Sequence, residues 1–246
     1  MLWTAQKAEQ EIMKIIKNEK RINRNGRIGR QAILAALVIL GAGMYLSVTN
    51  TTNPQMFTYS AGALIVGFIL MQIGIYMGNR YGRSPRPDEK LDTGLKGLQN
   101  EFLMYHYSTP VSHLLLGPAG VWILLPYHQR GRATFKKNRW QMSGGGFLQA
   151  YMRIFGQEGL GRPDLEISGE ITALKKYLAK HMDQDEIPEV NALMVFTSDD
   201  VEIDAEGATV PALKLKQMKE FIRKKVKDKA ITPNTLNKIK SLFGEE

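Results

Sequence analysis

The sequence predicts an α/β protein in which two transmembrane helices precede a cytoplasmic domain built on a mixed sheet. Two uncharged apolar runs lie in the first third of the chain, and cations crowd their outer flanks. After them, strand-like and helix-like segments alternate to the carboxyl end. A chain of 246 residues has room for a membrane region and one soluble domain of ordinary size.

Composition narrows the chemistry open to this chain. There is no cysteine, which excludes disulfide frameworks and thiolate metal sites. The four histidines show no metal-ligand spacing with one another, so we predict neither a metal nor a cofactor. The formal charge of +9 favours anionic partners, although membrane orientation already explains the cations before the first apolar run.

Residues 1–29 are predicted to form a basic amphipathic helix. Apolar side chains recur at helical spacing as far as residue 24, and charged residues occupy much of the remaining surface. Such a helix lies on the anionic inner leaflet or packs against protein, and the pattern favours neither. Asn25-Gly26 and Gly29 predict a flexible joint after it.

Residues 30–83 are predicted to be a hairpin of two transmembrane helices. The uncharged runs 31–48 and 61–78 each approach the roughly 20 residues that a helix needs to cross the bilayer. The link between them has no charge, whereas both outer flanks are basic. The positive-inside rule therefore predicts a multi-pass protein of the inner (cytoplasmic) membrane with both termini in the cytoplasm.

Small residues recur in the second run and predict close helix packing there. Packing between the chain's own two helices is favoured over contact with a second copy. The residues are Ala63, Gly67, Gly74 and Gly78.

Residues 84–246 are predicted to form the cytoplasmic α/β domain. Its predicted helices span 90–107, 147–155, 165–181, 216–228 and 232–243. Its predicted strands are a hairpin over 111–128 that turns at 117–120, an extension of that sheet at 132–137, a buried central strand at 190–196, and short strands at 201–203 and 212–215.

The hairpin and its neighbours resemble a known family. The segments that carry the likeness are Gly94-Leu95-Lys96-Gly97-Leu98, the hairpin itself, Arg130-Gly131, Arg162-Pro163, and Val195-Phe196 at the end of the central strand. In order and spacing they resemble the NERD (nuclease-related) domain, a relative of restriction-endonuclease folds. The resemblance covers roughly residues 91–215 and implies a restriction-endonuclease-like mixed sheet.

The resemblance also implies where a nuclease site would lie. The family's hairpin Asp corresponds to Ser112, the Glu and Lys of its Glu-x-Lys to Leu125 and Tyr127, and its first-helix Glu to Leu98. A hard cation such as Mg²⁺ needs anionic oxygen ligands, and these four side chains supply none. Without the ion there is no activated water, so we predict a degenerate site with no catalytic residue.

Three functions remain open at this point. The leading one is a membrane-anchored, non-catalytic binding or scaffold protein, with the bilayer, a second copy or an integral membrane protein as partner. An alternative is an accessory subunit of a larger membrane complex. The other alternative is a metal-dependent nuclease with displaced acids, for which Glu101, Asp92 and Glu158 are the candidates.

A basic stretch after the hairpin predicts weak binding to nucleic acid or to anionic lipid. Its cations would neutralise phosphates while an aromatic ring stacks on a base. The commoner arrangement of such a strand turns its aromatic rings inward and leaves its cations solvated. The candidate residues are Arg130, Arg132, Lys136, Lys137, Arg139 and Trp140.

Overall fold

The computed structural model divides the chain into two compact units. It describes residues 13–49, 52–144, 159–228 and 231–244. Glu19–Arg86 forms one unit, and the chain up to Asn18 forms the other together with everything from Pro87 onwards. The predicted boundary at residue 29 is therefore too late, because the described part of the arm before Glu19 belongs to the α/β unit.

The helical unit consists of two long helices separated by residues 50–53. α1 spans Glu19–Thr49, α2 spans Pro54–Met77, and a π-helical turn follows at Gly78–Gly82. The side chain of Asn53 caps α2 by accepting hydrogen bonds from the backbone N–H groups of Gln55 and Met56. By length and composition, both helices could cross a membrane.

A strand, and not a helix, leads into α1. β1 (Lys14–Lys17) pairs in parallel with β2 (Leu103–His106) and forms an edge of a sheet. The helical prediction is wrong here because Ile15 and Ile16 also suit a short β-branched edge strand, which covers the backbone of β2. The remainder of the predicted helix, residues 1–12, lies outside the described residues.

The predicted joint at Asn25-Gly26 and Gly29 is also wrong, since α1 continues through it. The glycines there allow α1 to lie close to the end of α2 and to the π-helical turn. A Cβ placed on Gly29 would lie 2.7 Å from the Cβ of Met77, and one on Gly26 would lie 3.1 Å from the carbonyl oxygen of Tyr81. Glycine therefore marks helix contact at these positions and not a break.

The α/β unit combines two sheets with four helices in its described part. Its further strands are β3 (His113–Gly117), β4 (Gly120–Tyr127), β5 (Gly131–Lys136), β6 (Arg139–Ser143), β7 (Val190–Phe196), β8 (Val201–Asp204) and β9 (Ala212–Lys214). Its helices are α3 (Pro87–Leu95), α4 (Pro163–Leu178), α5 (Leu215–Val226) and α6 (Pro233–Leu242), with a 3₁₀ turn at Gln184–Glu186.

The larger sheet is mixed and has six strands in the order β1-β2-β3-β4-β7-β9. β2, β3 and β4 form an antiparallel meander, and β7 then joins β4 in parallel. β4 and β7 read as continuous apolar runs because both of their faces are covered. The predicted hairpin and central strand are thus confirmed.

Alternate side chains of the larger sheet enter two separate apolar cores. Leu114, Ile123 and Leu125 point into the core that α4 and α6 cover. Leu115 and Trp122 point into the opposite core, which α3 and α5 cover. The period-two alternation of the strands thus produces a three-layer arrangement, with one core on each side of the sheet.

Two other predicted elements differ from the structure. The helix predicted over 90–107 ends at Leu95, because Gly97 has a φ of +86° and terminates it before β2 begins. The predicted sheet extension at 132–137 is β5 of a separate three-stranded sheet with the order β6-β5-β8. The helix predicted over 147–155 lies outside the described residues.

Candidate functional site

Polar side chains gather at one edge of the six-stranded sheet. β1, β2 and β4 run in one direction and β3 runs in the other. The strand ends at Lys17, His106 and Tyr127 therefore meet the beginning of β3, at Ser112 and His113. Ligands of α/β sheets bind preferentially at the carboxyl ends of such strands, so this edge is the candidate site.

On one face of this edge, α4 brings two carboxylates to the hairpin. The backbone N–H and the Oγ of Ser112 donate hydrogen bonds to the two oxygens of Glu170, each at 3.1 Å. The hydroxyl of Tyr127 donates to Glu166 Oε2 at 2.8 Å. Glu166 and Glu170 are four residues apart and share one face of α4. Leu125 completes this face and is only 4% exposed.

Leu98 does not join these residues. It is 1% exposed and packs in the core of α3 and α5, on the opposite side of the sheet. The position expected in the first helix is displaced because α3 ends at Leu95. The structure thus brings together three of the four positions that the resemblance assigns.

The three acids considered for a displaced site do not meet at the hairpin. Glu101 is exposed in the turn before β2, Asp92 lies on the opposite face of the sheet edge, and Glu158 lies outside the described residues. Glu166 and Glu170, which do reach the hairpin, were missed. Their signal is present in the sequence as an acid pair at a spacing of four within a predicted helix.

A buried ionic network occupies the other face of the sheet edge. Lys17 forms ion pairs with Asp88 and Asp92, at 3.1 Å from Asp88 Oδ2. The other oxygen of Asp92, Oδ1, lies 2.8 Å from Nε2 of His106. Nδ1 of His106 lies 2.8 Å from Nδ1 of His113. Asp88 and His106 are both 0% exposed, so this network supplies the polar contacts that solvent would otherwise make with these groups.

The two carboxylates determine the charge state of Lys17. Burial by itself lowers the pKa of the Lys17 ammonium, but the hydrogen bonds and negative charges of Asp92 and Asp88 outweigh burial and leave that pKa above its ordinary value. Lys17 is therefore a permanent cation at neutral pH. Asp92 in turn remains a hydrogen-bond acceptor for His106.

The two imidazoles share one hydrogen bond, so one Nδ1 donates and the other accepts. The ring of Tyr107 lies edge-on against His113, with centroids 4.8 Å apart. A proton on both Nδ1 atoms would abolish the hydrogen bond. Asp92, His106 and His113 thus form a continuous hydrogen-bonded chain at this edge, which fixes the orientation of both imidazole rings.

The basic stretch predicted to bind phosphates turns its aromatic rings inward. Trp140 is 7% exposed, packs in the core, and lies 5.5 Å between ring centroids from Phe135. Arg132 pairs with Asp204 at 3.4 Å. The other candidate cations are exposed: Arg130, Lys136, Lys137 and Arg139.

The small residues of α2 face α1. A Cβ on Gly67 would lie 2.7 Å from Leu40 Cγ, and one on Gly74 would lie 2.5 Å from Ile33 Cγ1. Ala63 meets Gly43 in the same way, whereas a Cβ on Gly78 would contact nothing within 4 Å. The buried residues of both helices recur at intervals of seven, a spacing of left-handed helix pairs. They are Ile22, Gly29, Ala36 and Gly43 in α1 and Ser60, Gly67 and Gly74 in α2.

Neither carboxylate pair forms a ligand set for a metal. Within the described ranges, no three residues among His, Cys, Asp and Glu converge in a way that could hold an ion. Comparisons with protein-family models, with curated proteins and with solved structures found no match to this chain.

Proposed function

We propose that this chain is a membrane-anchored, non-catalytic binding or scaffold protein built on a nuclease-like framework. The order of its elements supports the framework: α3, a meander with the hairpin at its centre, α4 entered at Arg162-Pro163, and β7 ending at Val195-Phe196. This is the order that the resemblance implies.

One observation carries the non-catalytic part of the proposal. The hairpin position of the family's ligand Asp makes an internal contact instead, because Ser112 donates to Glu170. At the position of the family's Lys, Tyr127 donates to Glu166. Leu125, at the position of the family's Glu, places an aliphatic side chain in the apolar core on the same side of the sheet. A hard cation requires carboxylate oxygens that are turned towards it, and here neutral donors engage both oxygens of Glu170 and one oxygen of Glu166.

A cleavage assay tests this part. The full chain in lipid nanodiscs is incubated with duplex DNA, single-stranded DNA or RNA in the presence of Mg²⁺ or Mn²⁺. We expect no cleavage above that of empty nanodiscs, because no ion-activated water is available. Cleavage that is lost in Glu170→Gln but kept in Glu189→Gln, an exposed acid at the opposite end of β4 from Tyr127, would establish a nuclease with acids displaced to α4.

The anchoring part of the proposal rests on the helical unit. α1 and α2 expose apolar side chains such as Leu37, Val38 and Ile69 along most of their length, and they pair through small residues. Small residues suit association in lipid, where close packing and not apolar burial holds helices together. The uncharged turn and the basic flanks predict that the turn is external and that the α/β unit is cytoplasmic.

Accessibility of single cysteines tests the anchoring. Because the chain has no cysteine, Thr52→Cys in the turn and Gln141→Cys in the α/β unit each provide a unique thiol. In intact cells with an opened outer envelope, an impermeant maleimide is expected to label the Thr52→Cys variant at once and the Gln141→Cys variant only after lysis. Release of the chain from membranes by alkaline carbonate, or labelling in the reverse order, would refute the anchor.

A further inference from the structure

The tip of the β5–β6 hairpin carries a cluster of positive charges that make no structural contact among the described residues. Lys136 ends β5, Arg139 begins β6, and Lys137 and Asn138 form the turn between them. We call these four residues the basic turn. All of them are exposed, and within the described part of the chain none of its three cations has a hydrogen bond or an ion pair.

The basic turn places like charges close together and holds its backbone in an uncommon conformation. Lys136 stands directly opposite Arg139 in the strand register, and like charges at such positions repel. Lys137 has a φ of +51° and Asn138 a φ of +58°. Asparagine tolerates this left-handed region, but lysine rarely adopts it, and glycine is the usual residue of such turns. An anion bound at the tip would relieve the repulsion.

Other cations of this unit have structural roles, which distinguishes them from the basic turn. Lys219 donates to the carbonyl of Lys96 at 3.1 Å, and Arg223 donates to the carbonyl of Gly97 at 2.8 Å. Both therefore cap the carboxyl end of α3. The hairpin beneath the basic turn is firmly anchored, because Trp140 is buried in the core. A rigid platform loses little conformational entropy when it binds.

We propose that the basic turn binds anionic lipid headgroups of the membrane in which the helical unit is anchored. This inference rests on the proposed anchoring, since the helical unit ends at Arg86 and α3 begins at Pro87, so the α/β unit is tethered without a long linker. A tethered unit meets headgroups at high effective concentration. Each cation near an anionic leaflet raises the equilibrium constant for binding to that leaflet by about fivefold.

Two features favour headgroups over nucleic acid. Single strands are held by exposed aromatic rings, whereas Phe135 and Trp140 pack against each other and into the core. The surface beside the tip also bears acids, because Glu202 and Asp204 of β8 lie next to β5. Asp204 is paired with Arg132, but Glu202 would repel an extended phosphate backbone, and a contact confined to the tip avoids it.

A fluorescence experiment on the full chain tests the inference. An environment-sensitive dye is attached at Gln141→Cys, next to the tip but outside the basic turn. The protein is placed in nanodiscs of phosphatidylcholine alone or with about one third phosphatidylserine. We expect quenching by headgroup-labelled lipid only in the anionic discs, and its loss at high salt. The triple variant Lys136→Gln, Lys137→Gln, Arg139→Gln is expected to lose the quenching, because its equilibrium constant for headgroup contact should fall by about 100-fold.

A matched control removes the same charge elsewhere. The triple variant Lys175→Gln, Lys176→Gln, Lys180→Gln removes three exposed cations from the last turn of α4 and the residues just after it, and it should leave the quenching intact. Equal loss in both variants, no quenching in anionic discs at low salt, or displacement by short DNA in the absence of any lipid effect would overturn the inference. A chain that fails to co-elute with nanodiscs contradicts the anchoring as well, whereas one that co-elutes without quenching contradicts the inference alone.

Discussion

Replacement of Lys17 by methionine is expected to destabilise the α/β unit by about 3 kcal/mol at neutral pH. Methionine has a similar shape but leaves Asp88 and Asp92 without their shared cation, and Asp88 is fully buried. Removal of one partner from a buried ion pair leaves an uncompensated charge. Chemical unfolding of the full chain in mild detergent, followed by the fluorescence of its tryptophans, measures the loss.

The destabilisation should depend on pH in a defined direction. The pKa of Lys17 is raised in the folded protein, so its ion pairs contribute fully below the ordinary lysine pKa of 10.5 and lose their contribution as the pH rises through the folded value. The difference in the free energy of unfolding between the parent protein and the Lys17→Met variant should therefore be constant near neutrality and shrink above pH 10.5. Lys14→Met, an exposed lysine of the same strand, serves as the control. If the parent protein, Lys17→Met and Lys14→Met unfold at the same denaturant concentration, Lys17 does not stabilise the fold through its ion pairs.

Replacement of Gly67 by leucine is expected to separate α1 from α2. The new Cβ would lie 2.7 Å from Leu40 Cγ, which is too close for two carbon atoms, and in tight contact with the Leu40 backbone nitrogen at 3.3 Å, so the helices must move apart to admit the side chain. Overpacking of this kind costs about 1–3 kcal/mol. The Cβ built on Gly43 lies 3.1 Å from Ala63 Cβ, so the pair Gly43→Cys and Ala63→Cys reports the approach of the helices by its yield of disulfide.

The control for this change is Gly62→Leu in the same helix. A Cβ on Gly62 meets nothing within 4 Å, so its leucine points into open space. We expect the cross-link to form as readily in the Gly62 variant as in the parent protein, and several-fold less in the Gly67 variant. Identical yields in the two variants would show that the small residues do not set the helix distance.

Elements with strong local signals were predictable from the sequence. The apolar runs of α1 and α2 need no tertiary context, because their length and lack of charge already specify helices. The turn at Gly117-Pro118-Ala119-Gly120, between two apolar runs, specified the hairpin in the same way. The run at 190–196 is short, apolar and bounded by β-branched and aromatic residues, which distinguishes a buried strand from a helix.

Elements that depend on distant partners were not predictable. β1 forms only because β2 offers its edge, and Ile15 and Ile16 alone fit a helix as well as a strand. The end of α3 was set by the backbone of Gly97, whose positive φ cannot be read from the apolar spacing around it. The ionic network joins Lys17 to a carboxylate 71 residues later, and no local pattern records that distance.

The α/β unit is discontinuous in the chain, which has a consequence for its biosynthesis. Its edge strand is made before the apolar helices, and β2, against which that strand pairs, is made after them. Translation therefore delivers both apolar helices before this part of the sheet can close. A fragment that begins after Arg86 would lack both β1 and Lys17, and it would expose an unpaired strand edge beside two buried acids.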